Sequence, residues 1–179
     1  MLIKNVHIEN QEKATDIRIM DGIITEISDH LHAGDNEEVI DATGKLALPP
    51  FIEPHIHLDS VLTAGEPKWN ESGTLFEGIE TWALRKQSLT YEDVKERAGR
   101  AIRKQAANGI QFVRTHVDTT DPNLTALRAL IDLREEVKDF IEIQVVAFPQ
   151  EGILSYKNGY ELLEEALKLG ADVVGAIPH

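Results

Sequence analysis

A chain of 179 residues with 42% hydrophobic and 27% charged residues has the balance of a globular protein able to bury a sizeable core. Eighteen basic against 31 acidic residues leave a formal net charge of −13, which repels a phosphate backbone, so nucleic acid is not an expected partner. No run approaches the roughly 18 apolar residues of a membrane span, the N-terminus MLIKNVHIENQEKATD turns polar too early for a secretory leader, and the absence of cysteine suits the cytoplasm that is the expected location.

Residues 1–48 predict short strands: LIKNVHI, DIRIMDGIITEI, EVIDA and KLAL. Asp21-Gly22 between Ile-rich segments is a hairpin signal, because both central residues of a tight type I′ turn need positive φ. Thr43-Gly44 marks another turn. This is read as a small β-sandwich-like subdomain, too small to bury its own surface alone.

From residue 46 the pattern changes to strands alternating with helices, the mark of parallel βα units. KLALPPFIEPHIHL is the first strand and its exit. TLFEGIETWALRKQ and YEDVKERAGRAIRKQAANG read as helices, the second opened by a Thr90-to-Asp93 capping box and closed near Gly109. QFVRTHVD is the next strand, and Asp121-Pro122 is expected to cap the helix NLTALRALIDLREEVKD with proline at its first position. IEIQVVAFP, YELLEEALKLG and ADVVGAIP complete the series as strand, helix and strand. Residues 49–179 therefore predict the first half of a (β/α)8 TIM-type barrel, whose complete form takes roughly 250 residues. The chain is accordingly expected to be the N-terminal portion of a longer protein.

Alternation divides each strand into two faces. Val113, Thr115 and Val117 form one parity of QFVRTHVD, with Arg114, His116 and Asp118 on the other. Ile141, Ile143, Val145 and Ala147 share a side in the next strand, opposite Gln144, Val146, Phe148 and Gln150. Active sites of such barrels lie at the carboxyl ends of the strands. His55 and His57, two positions apart at the end of the first strand, project to one side there and are the candidate metal ligands. The second pair with this spacing, His30 and His32, precedes the polar stretch AGDNEE and has no such context. His116 and Asp118 are expected to form a hydrogen-bonded pair lining the barrel, and Trp69 and Trp82 to serve in packing. His7 reads as a strand-surface residue, and His179 ends the chain.

The combination EVIDATGKLALPPFIEPHIHLD resembles the entry to the amidohydrolase superfamily, and GTLFEGIE, ANGIQFVRTHVD, VVAFPQEGILSY and LGADVVGAIPH resemble its bacterial cytosine deaminase branch. The resemblance runs from about residue 40 to the end, and FPQEGILSY is more specific than the histidine pair. It implies that His55 and His57 are two metal ligands, that Gln150 hydrogen-bonds the pyrimidine ring and that Leu75 contacts the base. Two-metal members use a bridging lysine or glutamate on the fourth strand. ADVVGAIPH offers neither, so one divalent ion is implied, with iron, zinc or manganese all compatible.

The resemblance implies hydrolytic deamination of cytosine to uracil and ammonia, a step of pyrimidine salvage. The proton-shuttling glutamate and the remaining ligands belong to later strands, so no catalytic residue is assigned here and the isolated 179 residues are expected to be inactive. Zero cysteines exclude the deaminases that hold zinc through P-C-x-x-C. The alternatives are a related hydrolase of another amino-substituted base or an aminotriazine, and a non-catalytic assembly protein of the same fold. Homo-oligomers are plausible for such barrels.

Overall fold

The computed structural model describes residues 1–176. His179 and the end of the predicted fourth barrel strand, from Ile177, lie outside the described residues. The chain divides into two compact units, Met1–Pro49 and Pro50–His179.

In the first unit, strands β1 (Leu2–Ile8), β2 (Thr15–Met20), β3 (Ile23–Ser28), β4 (Val39–Asp41) and β5 (Leu46–Ala47) form one sheet in the order β3-β2-β1-β4, with β5 also pairing β1. The predicted hairpin joins β2 to β3, and Asp21 and Gly22 have φ of 51° and 77°, as the turn requires. Strand β1 pairs β4 through Leu2–Lys4 and β5 through His7 and Ile8, both parallel. Between these stretches Asn5 has φ 59°, at the point where the register with β2 shifts, so a bulge redirects the strand from one partner to the other. Buried Asp16 fixes that bend by accepting the N–H groups of Asn5 and Leu31, each at 2.9 Å. Burial pushes its carboxyl up, but these N–H groups and Lys4 outweigh it and hold the group below its ordinary range.

Val6, Ile17 and Ala42 centre the small core of this unit, while Ile23, Ile24 and Ile27 of β3 stay exposed. KLAL belongs to this sheet and does not run into the first barrel strand. Pro49 and Pro50 separate the two, since proline has no N–H for a ladder.

The second unit contains β6 (Phe51–Ile56), α1 (Leu75–Lys86), α2 (Tyr91–Ala107), β7 (Ile110–Asp118), α3 (Thr125–Val137), β8 (Glu142–Phe148), α4 (Gly159–Leu169) and β9 (Val173–Val174). Its strands are all parallel, in the consecutive order β6-β7-β8-β9. Val113, Thr115 and Val117 of β7 and Ile143, Val145 and Ala147 of β8 are buried, as their parity predicts. Their apolar members pack with Val94, Ala98 and Ile102 of α2 and with Leu127 and Leu130 of α3, residues three or four positions apart that give each helix one apolar face.

Thr90 caps α2, its Oγ1 accepting the Asp93 N–H at 3.1 Å. The Asp93 carboxylate does not close the capping box; Arg97 and Arg85 hold it instead. Helix α3 begins later than predicted, at Thr125, after Leu124 in the left-handed region at φ 50°. Asp121 accepts the N–H groups of Asn123 and Thr125 at 3.1 and 2.7 Å, so it closes a turn ahead of the helix and Pro122 is not at the first helical position. The side chain of Leu124, 2% exposed, offsets by burial the cost of its backbone conformation.

Candidate functional site

The exits of β6, β7 and β8 lie side by side. Their separation is set by polar contacts: Leu58 N–H donates to Thr115 Oγ1 at 3.0 Å, and Asp118 N–H to Asp59 Oδ2 at 2.8 Å. Thr119 N–H donates to the Phe148 carbonyl at 2.9 Å. Behind the β6 exit, buried Arg97 donates to the Asp59 and Val61 carbonyls at 3.0 and 2.7 Å, fixing the segment after His57 to α2.

His55 and His57 face a common space, with ring centres 5.4 Å apart and planes tilted by 56°. The His116 ring of β7 stacks on His55 at 3.9 Å and 17°, and lies 5.7 Å from that of His57. Burial, then the neighbouring His116 and His55, push His57 down to about 4. Burial and His55 lower His116 as well. Both imidazoles are therefore neutral near pH 7 and keep a nitrogen lone pair for a cation.

With metal–nitrogen bonds of about 2.1 Å, two imidazoles on one tetrahedral cation have ring centres about 5 Å apart, close to the spacing of His55 and His57. Spacing alone does not discriminate, because the His30 and His32 rings are also 5.4 Å apart. Those two are exposed, in the connection after β3. His57 differs by its burial and by Asp59, whose buried Oδ1 has no hydrogen-bond partner and lies 3.9 Å from His57 Nδ1. Burial pushes the Asp59 carboxyl up to about 7, against the pull of the Asp118 N–H. Among the described residues no three His, Asp or Glu side chains enclose a cation position.

A cavity of about 370 Å³ opens beside this pair, lined by His55, His57, Leu75, Trp82, Phe148 and Gln150 among others. All four residues singled out in the sequence thus meet in one place. Leu75 is 71% exposed and takes no part in the apolar core. Trp82, read as packing, lines the same cavity and donates Nε1–H to Asp118 Oδ2 at 3.0 Å. Its position two helical turns after Leu75 places both on one face of α1, a signal present in the sequence.

His116 and Asp118 do not pair. His116 Nδ1 is buried without a partner, and the Asp118 carboxylate is taken by Trp82, by Lys86 and by Thr120. Lys86 Nζ donates to Asp118 Oδ2 at 2.9 Å, Thr120 Oγ1 at 2.7 Å and Glu151 Oε1 at 2.6 Å. Burial works to lower the Lys86 pKa, but Asp118 and Glu151 reverse the effect and raise it.

Parallel βα units with polar groups gathered at the strand exits place this cavity where enzymes built on such units carry their active sites. The chain belongs to the amidohydrolase family, whose model matches residues 38–179. It is similar to the 5-methylcytosine deaminase of Klebsiella pneumoniae, solved with 5-fluorocytosine, at 54% identity and a TM-score of 0.94, over 100% of this chain and 44% of that one. It is also similar to the N-isopropylammelide isopropylaminohydrolase of Burkholderia multivorans, at 33% identity and a TM-score of 0.82, over 97% of this chain and 44% of that one. The N-isopropylammelide isopropyl amidohydrolase of Pseudomonas sp. (strain ADP) is 32% identical over 99% of this chain and 45% of its own length. The chain thus spans less than half the length of these relatives. Among the described residues no helix is long and apolar enough to cross a membrane.

Proposed function

We propose that the chain is part of a metal-dependent cytosine deaminase, with residues 49–179 forming the first half of a (β/α)8 barrel and residues 1–48 a small β subdomain. The reaction is hydrolysis: water adds at C4 of cytosine, the bond from C4 to the amino nitrogen breaks, and uracil and ammonia leave. His55 and His57 are two ligands of one divalent cation, iron, zinc or manganese. Such a cation, when bound, lowers the pKa of a coordinated water toward about 7.

The chain's own residues prepare the place. The depressed pKa of His57 keeps its imidazole neutral and able to coordinate. The Gln150 side chain carries both an amide donor and a carbonyl acceptor, the pair needed to read a ring N–H and its neighbouring carbonyl. Leu75, Trp82 and Phe148 supply apolar walls that exclude water from a flat ring. The acid–base residue that moves the proton to the leaving amine is assigned to no position of this chain. The same reading puts the enzyme in the cytoplasm, acting on a free base.

The observation that carries this reading is the convergence of His55 and His57, Leu75 and Gln150, from three separate segments, on one cavity of about 370 Å³, within the usual size of a small-molecule site. The 54% identity to a protein described as a 5-methylcytosine deaminase favours a cytosine-type base over a triazine. Aminotriazine hydrolysis is the second reading, favoured by the two N-isopropylammelide relatives. Metal analysis of the intact protein, together with ammonia release from cytosine, decides between them. Bound metal with uracil and ammonia as products supports the deaminase; turnover of an aminotriazine alone transfers the claim to the second reading, and no metal with no turnover removes both.

A further inference from the structure

The cavity has one wall that the apolar core does not hold. Helix α1 carries Leu75 and Trp82, yet none of its residues is fully buried, so little hydrophobic packing fixes its distance from the strand exits. Arg85 ties the helix to Glu66 and to Asp93, in the segment before it and in α2. Its ties to the β7 and β8 exits are polar. Trp82 and Lys86, one helical turn apart on the same face, both donate to Asp118 Oδ2.

Asp118 is 2% exposed, and its other oxygen accepts the Thr120 N–H at 2.8 Å, the Thr120 hydroxyl at 2.5 Å and, more weakly, the Gln150 N–H at 3.4 Å. Lys86 also grips Glu151, the residue next to Gln150. Its ammonium has three protons and three acceptors, Asp118, Thr120 and Glu151, so none is spare for solvent or ligand. The Tyr156 ring lies 5.6 Å from the nitrogen.

We infer that Lys86 is a positioning residue of the cavity: through Asp118 and Glu151 it holds α1 and the turn after β8 at the separation that lets Trp82 and Leu75 on one side and Gln150 on the other close on a flat base. It touches no base itself. This explains why a lysine is drawn into a site whose chemistry does not use an amine, and why glutamate follows Gln150. The inference rests on the cytosine reading above.

The test is steady-state ammonia release from cytosine by the intact, metal-loaded protein, compared with Lys86→Ala. Loss of the clamp raises KM by about ten-fold or more, as displacement of a positioned group does, with metal content unchanged. Ethylammonium, which fits the space left by the lysine stem, restores KM saturably, whereas sodium at equal ionic strength does not. A variant KM within about two-fold of the parent overturns the inference and leaves the cytosine reading standing. A raised KM without ethylammonium rescue, or with loss of metal, also overturns it, because general damage then explains the defect. No turnover of cytosine by the parent protein overturns the underlying reading first and the inference with it. If Lys86→Ala does not fold, Glu151→Gln carries the same test, with KM raised about three-fold for one weakened hydrogen bond and an unchanged KM as the contrary result.

Discussion

The His116 imidazole lies flat on that of His55, 3.9 Å away and within 17° of parallel. A stacked ring restricts the rotamers of an exposed side chain, which would otherwise lose freedom if it bound a cation, as proposed for His55. His116→Ala is therefore expected to weaken zinc binding by about ten-fold, measured by competition with a chelator. His116→Phe, which keeps the stack, should bind within about three-fold of the parent; equal loss in both variants would show His116 to be a ligand itself.

Thr115 has no exposed surface, and its hydroxyl is the acceptor for the N–H of Leu58, the residue after His57. Thr115→Val keeps the shape and removes the acceptor, leaving a buried N–H unpaired at a cost of about 1–3 kcal/mol. Urea unfolding should report that loss with an unchanged m-value. A variant as stable as the parent would mean that the β6 exit is held by other contacts.

How much of this could be read in the chain depends on the residue. Strand parity identified the helix-facing side of β7 and β8, because a period of two is fixed by backbone geometry, but not the burial of Asp118, Val146 and Phe148 on the opposite side near the strand ends. That His55, His57 and Gln150 line one cavity agrees with the sequence, where the two histidines end the first parallel strand and the resemblance singles out Gln150. The partners of Asp118 were not legible, since Lys86 is 32 and 65 residues from the carboxylates it joins and no periodicity records such a contact. The start of α3 was misplaced for a similar reason: Asp121 bears a capping side chain, but burial of Leu124 decides where the helix begins.

At Gly175 an added Cβ would lie 2.7 Å from Phe148 Cδ2 and 2.9 Å from Val146 Cγ1. Phe148 lines the cavity and its ring stands 5.6 Å from that of His57, so Gly175→Ala pushes an aromatic wall toward the base. The expected result is a loss of about 1–3 kcal/mol in stability from overpacking, together with a raised KM for cytosine. A parent-like Tm and KM would contradict the close approach.

The hydrogen bond from Arg97 holds the Asp93 carboxyl below its ordinary value of 3.8, more than offsetting its partial burial. As pH falls, the unfolded chain protonates Asp93 first, so its stabilisation is full above 3.8 and disappears as pH drops through the lower folded value. Asp93→Asn should thus cost about 1 kcal/mol near neutrality, allowing for partial solvent screening, and progressively less in acid, as unfolding at a series of pH values would record. A gap that stays constant into strong acid would show that the charge of Asp93 is not the source.

The central claim is that His55 and His57 share one cation beside the base cavity. Anomalous scattering from crystals of the intact protein, collected at the absorption edge of its bound metal, tests this directly. The account predicts a single strong peak about 2.0–2.2 Å from a ring nitrogen of each histidine. A peak bonded to only one of the two rings, or located away from both, would contradict it.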